Sequence, residues 1–456
     1  MPGPKTVQKQ MTQKSTQQRP TEMQAVSDMS NFRRRLPGAG ALVLFGLLLA
    51  GCAGDAELDT LEPRGNTADE IYNLIVPVFI VAGVIMVLVC GAVLWLSIKN
   101  RVSTYEGDEE FPEQVSHNNT LEIGWTIGPA IIMAVIAVFT ITTHIAINKD
   151  NAAAIEIEVH GETTSWDPTI VVVGQQWWWE YRYYLDEFDL DASMLENPRD
   201  LPPADIVTST QFAIPTGVEV DLVVTSRDVI HSHWIPALNG KRDAVPGRFS
   251  PWKIEADDPG LYFGQCTEFC GLSHSRMRMQ TIAMDPPEFQ EWIDMQTSPA
   301  QFDDELQTYV DSYRETGTGS VPDDATAAHR GLDVFVSLCA SCHLVDGLND
   351  LTYAGAAVVS GAAPNLTHFA NRTTFAGGIL NLYNEDGSLN MDDLAAWIRN
   401  PADVKENYAN NLADGELPRG MPNFNLTERQ IDDVISFLET LGPRPPDERI
   451  AATEVE

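Results

Sequence analysis

The stretch Cys266-Thr-Glu268-Phe-Cys270-Gly-Leu-Ser-His274-Ser-Arg-Met277 places two thiols, an imidazole and a thioether within twelve residues. Soft sulfur beside imidazole suits copper. Thiols at i and i+4 on a loop can converge on one site, and paired thiolates can bridge two metals. A second imidazole must come from elsewhere. His231, in Asp228-Val-Ile-His231-Ser-His233-Trp234, stands at the end of a predicted strand, with His233 as its rival two residues on. Two other chemistries fit part of the set. An exported protein could close a Cys266–Cys270 disulfide, and zinc could take Cys, Cys, His and His. Neither gives Met277 or Glu268 a role.

Cys339-Ala-Ser-Cys342-His343 has the spacing of covalent c-type haem attachment. Placed at random, six Cys and nine His would give roughly 0.002 such matches in this chain, so chance is a poor explanation. Two thiols bond the haem vinyl groups and the adjacent imidazole ligates iron. A sixth ligand is expected at Met421, in Pro418-Arg-Gly-Met421-Pro422-Asn-Phe424, just before the last helical pattern. Met391 competes, but Asn390 can cap a helix there, which makes Met391 structural. His368 is a further rival, set aside in favour of the Met-Pro motif. Cys90 lies among apolar residues and reads as inert.

Elements that could position these groups are readable around them. From Ala153 the chain runs in short β-rich pieces such as Ile155–Val159, Ile170–Val173, Val218–Val224 and Met279–Met284, punctuated by Gly, Pro and Asp. That pattern suggests a β-sandwich over 151–296. Residues 297–325 are acidic, with Gly, Ser, Thr and Pro around Thr316–Pro322, and read as a linker. Residues 326–445 read as helical: Leu426, Ile431, Val434, Ile435, Leu438 and Leu441 keep a helical period, and Thr427 with Gln430 has the pattern of a capping box. Residues 446–456 form a tail. No internal repeat is visible.

Two runs without a charged residue, Ile71–Ile98 and Ile123–Asn148, exceed the roughly 20 residues that cross a bilayer core as a helix. The hairpin they imply occupies 52–150. Upstream, Arg33-Arg34-Arg35, the apolar run Ala41–Ala50 and Leu49-Ala50-Gly51-Cys52 describe an export signal over 1–51, with or without an N-terminal extension. The Cys after Ala-Gly resembles a bacterial lipobox, in which Cys52 is acylated; an ordinary signal with an incidental Cys is the alternative. Lys99 and Arg101 between the spans favour a cytoplasmic loop. Everything after Asp150 is then expected outside, on a multi-pass bacterial cell-membrane protein.

The chain carries a formal charge of -36. Residues 1–51 hold seven Lys/Arg against two Asp/Glu, so the remainder carries -41. Such a surface repels nucleic acid and favours a basic partner.

The copper loop, with its upstream Asp-Val-x-His-Ser, resembles cytochrome c oxidase subunit II. The likeness extends to Leu121-Glu122-Ile-Gly-Trp125-Thr-Ile-Gly-Pro129, Gly174-Gln-Gln-Trp177-Trp178-Trp179-Glu-Tyr181 and Asn239-Gly-Lys-Arg-Asp243-Ala-Val-Pro246-Gly247-Arg248, and spans about residues 65–295. The resemblance implies a cupredoxin-like β-sandwich holding binuclear copper, CuA, on His231, Cys266, the Glu268 carbonyl, Cys270, His274 and Met277. Sharing one electron over both metals keeps the geometry change on reduction small. It also implies electron uptake at an exposed Trp177, magnesium at the Glu268 side chain shared with subunit I, and proton uptake at Glu122. A carboxylate at a membrane boundary can equally be an interfacial charge. Gln175 stands where the family often has His, a departure that leaves the local surface chemistry open.

Residues from 326 onward resemble a small class I cytochrome c, an all-α fold. Pro364-Asn-Leu-Thr-His368, Leu394-Ala-Ala-Trp397-Ile and Asn400-Pro401 match the version fused to subunit II. The whole is expected to be a multidomain membrane protein, subunit II of a caa-type haem–copper oxidase. Electrons would pass from cytochrome c or a cytochrome bc-type complex to haem c, then to CuA and subunit I, where oxygen is reduced to water and protons are pumped. Subunits I and III and membrane lipid are the expected partners. The CuA subunit of a nitric oxide reductase, and a membrane-anchored electron shuttle, are the alternatives.

Overall fold

The computed structural model describes residues 56–101, 116–149, 152–185, 201–316, 321, 324–350, 363–409 and 419–453. The expected signal segment and Cys52 lie outside the described residues, as do 317–320 and 322–323 of the expected linker and the last residues of the tail.

The two charge-free runs form helices α1 (Asn66–Lys99) and α2 (Asn119–Ile147), each beginning about a turn before its apolar stretch. At 34 and 29 residues, with mean hydropathy 2.9 and 2.3, both exceed what a bilayer core needs. Large apolar side chains such as Phe79, Trp95, Ile131 and Phe139 are exposed along them. Helices apolar all round belong in lipid or in a large core, and no protein core covers these. Asn118 caps α2: its Oδ1 accepts from the Leu121 amide at 3.2 Å, while Glu122 Oε1 accepts from the Asn118 amide at 3.0 Å.

Both free ends of this hairpin are fastened to the β-domain. Before α1, the Arg64 amide donates to Ala237 O and the Asp257 amide to Arg64 O, at 2.7 and 2.9 Å. After α2, Lys253 Nζ donates to Lys149 O and to Glu219 Oε2. The sandwich therefore sits at the end of the hairpin opposite Lys99 and Arg101.

Twelve strands build that domain: β1 Ile155–Val159, β2 Glu162–Trp166, β3 Thr169–Gln175, β4 Trp178–Tyr183, β5 Ile206–Ser209, β6 Gln211–Pro215, β7 Val220–Ser226, β8 His231–Trp234, β9 Lys241–Ala244, β10 Ser250–Ile254, β11 Gly260–Gln265 and β12 Arg278–Met284. One sheet has the order β10-β7-β3-β4-β5 and the other β11-β12-β6, with β1-β2 and β8-β9 as separate ribbons. β3 and β7 pair in parallel, as do β12 and β6, so the chain crosses between layers rather than meandering. β3 reads Ile-Val-Val-Val because both of its faces are covered, and all four are buried. Helix α3 (Pro286–Gln296) closes one end, with Phe289 stacked on Trp166 at 5.8 Å and Trp292 tilted against Tyr183 at 5.2 Å.

The C-terminal domain has its own core around Leu332, Phe335, Leu394, Val434, Ile435 and Phe437. Among the described residues it is built of helices and loops, with a minimal pairing of Thr374–Phe375 with Leu380–Asn381 and a single bridge between Tyr383 and Leu389. The segment expected to be a linker differs. Helix α4 covers Asp304–Thr316, and Leu306, Tyr309 and Val310 are buried in this core. Asp303 Oδ1 accepts from the Leu306 amide at 2.8 Å, and Tyr309 Oη donates to Asp333 Oδ1 at 3.0 Å. Apolar residues at 302, 306, 309, 310 and 313 keep helical spacing inside an acidic composition, which masks it. Helices α5 (Ala327–Leu338), α6 (Met391–Arg399), α7 (Pro401–Val404), α8 (Glu428–Leu438) and α9 (Asp447–Ala451) follow; α9 buries Ile450 in this core, so the expected tail is instead packed there. Thr427 and Gln430 form the reciprocal capping box of α8, and Asn390 caps α6, which leaves the Met391 side chain exposed. Arg330 of α5 forks onto the Asp433 carboxylate of α8 at 2.6 and 3.0 Å.

If α4 belongs to the C-terminal core, Leu306→Ala should destabilise that domain by about 3 kcal/mol, as buried Leu truncations do. Differential scanning calorimetry should show the melting of the C-terminal domain shifted down and that of the sandwich unmoved; equal stability would return 297–325 to the role of a linker.

Candidate metal centre and haem site

β11 and β12 are neighbours with Gln265 opposite Arg278, so the chain between them, 266–277, is a closed loop. The Cys266 amide donates to Met277 O at 2.9 Å and shuts its base. Within it, Cys266 Sγ and Cys270 Sγ are 3.9 Å apart and both are free thiols. His274 Nδ1 lies 3.6 Å and Met277 Sδ 3.9 Å from Cys270 Sγ. The Glu268 carbonyl oxygen lies 3.4 Å from Cys266 Sγ. His231 Nδ1, arriving from β8, is 4.0 Å from the same sulfur. The ligand atoms of His231, Cys266 and Cys270 fall within 4.8 Å of one another, all buried. Six donor atoms thus surround one small volume, and their soft sulfur and imidazole chemistry fits copper. Zinc on two Cys and two His would leave the Met277 and Glu268 donors without a function.

The site is positioned from outside the loop as well. Asp228 Oδ1 lies 2.8 Å from His231 Nε2, while Asp228 Oδ2 accepts from the Gln176 amide at 2.8 Å. A carboxylate on Nε2 leaves Nδ1 to face the thiols. Burial opposes it, but Asp228 and Cys266 together raise the His231 imidazole above its usual range. Gly174 makes room for the ring, since a Cβ there would stand 2.8 Å from His231 Cδ2. His233, the rival imidazole, lies deeper in the core. Its Nε2 is 3.2 Å from Tyr181 Oη, it packs edge-on to Trp179 at 5.2 Å, and burial pushes it down to about 3. The two thiols are coupled: the contact with Cys270 lowers Cys266, and the same contact raises Cys270.

Trp177 stands at the turn between β3 and β4. Its Nε1 donates to Cys270 O at 3.1 Å, and Gln176 Nε2 donates to the same oxygen at 2.8 Å. The expectation of an exposed indole is corrected: Trp177 is only 4% exposed, because Tyr408 of the C-terminal domain lies over it with ring centroids 5.2 Å apart. Trp178 and Trp179 are buried in the sandwich, and Gln175 Nε2 donates to buried Glu180 at 3.2 Å. The Glu268 side chain and its neighbour Phe269 face outward, and Phe269 is 76% exposed.

In the C-terminal domain Cys339 caps α5, and Cys342 and His343 follow in a tight turn whose amides both return to Cys339 O, at 3.0 and 2.9 Å. His343 Nδ1 lies 2.8 Å from Pro364 O and donates to it, which leaves Nε2 as the accepting nitrogen. Burial pushes this imidazole down to about 4, so it is neutral at pH 7, as an iron ligand must be. The Met421 segment is bound to residues 407–408: Asn407 Nδ2 donates to Met421 O at 3.4 Å, and the Tyr408 amide to Arg419 O at 2.8 Å. His368 is occupied elsewhere, with Nε2 3.0 Å from Ser298 O.

Three family profiles match the chain. The periplasmic domain of cytochrome c oxidase subunit II matches residues 168–284, the transmembrane domain of that subunit 64–143, and cytochrome c 328–442. The cytochrome c oxidase subunit 2 of Alkalihalophilus pseudofirmus is 30% identical over 397 residues, covering 87% of this chain and 94% of that one. The chain belongs to the cytochrome c oxidase subunit II family. The subunit 2 of Bacillus subtilis is 27% identical, with 88% and 96% covered. The periplasmic domain of subunit II of cytochrome oxidase of Bradyrhizobium japonicum is 32% identical over 28% of this chain and 92% of that one, with a TM-score of 0.22. The chain is accordingly a subunit of cytochrome c oxidase, an oxidoreductase, and partners with subunit I. Its two domain types imply copper and haem c.

Residues that the spacing did not reveal are Asp228 as a support for His231, Gln176 on the copper loop, and Lys405 and Tyr408 over Trp177. Asp228 was visible in the Asp-Val-x-His pattern without a role.

Asp228→Asn should weaken copper binding by about 10–100-fold, as loss of a carboxylate behind a ligating His does; copper titration of the metal-free chain checks it. Cys266→Ser or Cys270→Ser should abolish the copper absorbance and leave the haem c spectrum intact, because the two cores are separate clusters.

Proposed function

We propose that this chain takes electrons from an external donor at haem c, held by Cys339, Cys342, His343 and Met421, and delivers them through CuA, held by His231, Cys266, the Glu268 carbonyl, Cys270, His274 and Met277, to subunit I. The observation that carries this is the contact series from the half-buried Met421 segment through half-buried Tyr408 to buried Trp177 and the Cys270 carbonyl. Bound at these sites, the two groups supply reversible one-electron chemistry. The residues supply placement: Asp228 orients His231, and Trp177 Nε1 pins the copper loop. Oxygen reduction to water and proton pumping belong to subunit I.

The remaining roles follow the same reading. Cytochrome c or a cytochrome bc-type complex is the donor, drawn by the acidic surface. Subunit III joins subunit I as a partner. The outward Glu268 carboxylate reaches a magnesium ion at the subunit I interface. Cys52 is acylated after residues 1–51 are removed. The sandwich and the haem domain lie on the outer face of a bacterial cell membrane, since both hairpin ends return to the sandwich and the basic loop residues lie at the opposite end. Glu122, at that cytoplasmic end, starts proton uptake.

Truncation after Thr297, ahead of α4, should leave CuA assembled and reducible by small mediators, while turnover with the native donor falls sharply. Donor turnover at the full rate would mean that donors bypass the fused haem. Glu122→Gln keeps the acceptor used by the Asn118 amide and removes the titratable proton. Oxygen consumption should slow at normal copper and haem content; wild-type consumption would reduce Glu122 to a cap.

A further inference from the structure

Lys405 follows helix α7 and is 5% exposed. Its Nζ donates to Trp177 O at 2.7 Å and to Ala376 O at 2.8 Å. One acceptor belongs to the sandwich and the other to the haem domain. No carboxylate pairs with the amine among the described residues. Burying an amine is costly unless its donors are satisfied, so plain packing would favour an apolar side chain here. Gly377, at φ +78°, leaves the space: a Cβ there would lie 2.3 Å from Nζ. Further bonds converge on the same two segments. Ser273 Oγ donates to Glu406 O at 2.6 Å, Arg276 donates to Val404 O, and the Arg278 amide donates to Gly377 O at 3.0 Å. All three donors lie in or beside the copper loop.

We infer that Lys405 is a positioning residue, a latch that fastens the haem domain to the backbone of Trp177 and so holds Tyr408 against the indole for electron transfer within the chain. The inference rests on the proposed route from haem c to CuA and adds how that route is held. A haem domain on a free tether would have to find Trp177 by diffusion for every electron. A latched one is already docked, and its transfer step is insensitive to solvent viscosity. The latch also explains why an indole expected at the surface is covered: external donors are directed to the haem.

The test uses the purified oxidase complex with Lys405→Met, which keeps the stem and removes the donors. Hydrogen exchange should show protection in segments 273–279 and 373–379 falling by about tenfold or more, with Val171–Val173 and α8 unchanged. Flash-induced transfer from haem c to copper should slow by about tenfold or more and become viscosity-dependent, whereas wild-type transfer is not. Unchanged protection and rate would overturn the latch. So would loss of the copper absorbance, which would place Lys405 in building the copper loop. A second variant, Tyr408→Leu, leaves the amine in place; it should slow transfer and keep protection, and an unchanged rate would contradict the role given to the ring. Absence of transfer in the wild type, with protection still lost in Lys405→Met, would overturn the electron route and uphold the docking.

Discussion

The carbonyl oxygen of Cys270 accepts two hydrogen bonds from one turn, from Gln176 Nε2 and Trp177 Nε1. A carbonyl has two lone pairs, and here both are committed to the β3–β4 turn. That pair of bonds fixes the copper loop to the five-stranded sheet, and through the Gln176 amide on Asp228 it is tied to His231 as well. The copper ligands, the orienting carboxylate and the indole are therefore one mechanical unit. The haem domain is added to that unit through Trp177 O, which accepts from Lys405, and through bonds from Ser273, Arg276 and Arg278.

The interface so formed includes buried hydrogen bonds, Lys405 Nζ to Trp177 O at 2.7 Å and the Thr373 amide to Gln211 Oε1 at 2.9 Å, beside exposed ones such as Arg276 to Val404 O. Ion pairs also cross it, Arg419 to the buried carboxylate of Asp228 at 3.6 Å and Arg449 to Glu288 at 2.8 Å. Buried bonds are screened little by salt, whereas attraction between an acidic surface and a basic donor is screened strongly. Internal transfer and donor capture therefore respond differently to ionic strength, which suits a subunit that must hold one partner and release another.

What was legible in the sequence was local. The copper loop, the Cys-x-x-Cys-His run, the Thr427–Gln430 cap and the two apolar spans are each written in spacing over a few tens of residues; the fold gathers the copper-loop thiols with His231, forms the cap and makes both spans helical. His231 was reachable because a strand end next to a loop is where a sandwich supplies a distant ligand. Helix α4 was hidden by its charge, since acidic residues between apolar ones lower the average without breaking the period. Lys405 and Tyr408 were not legible, because the contact with Trp177 spans 228 residues and depends on how two independent cores meet. The burial of Trp177 has the same origin: the strand pattern shows which face an indole takes, not what another domain lays over it.

Electron delivery by this subunit depends on the six donors around Cys266 and Cys270 holding a copper pair that shares one electron. Electron paramagnetic resonance of the singly oxidised, copper-loaded chain is the most direct measure. Hyperfine splitting from two equivalent copper nuclei, with metal analysis giving two copper ions per chain, is the expected result. A spectrum of one isolated copper nucleus, or one zinc ion per chain and no copper signal, would contradict it.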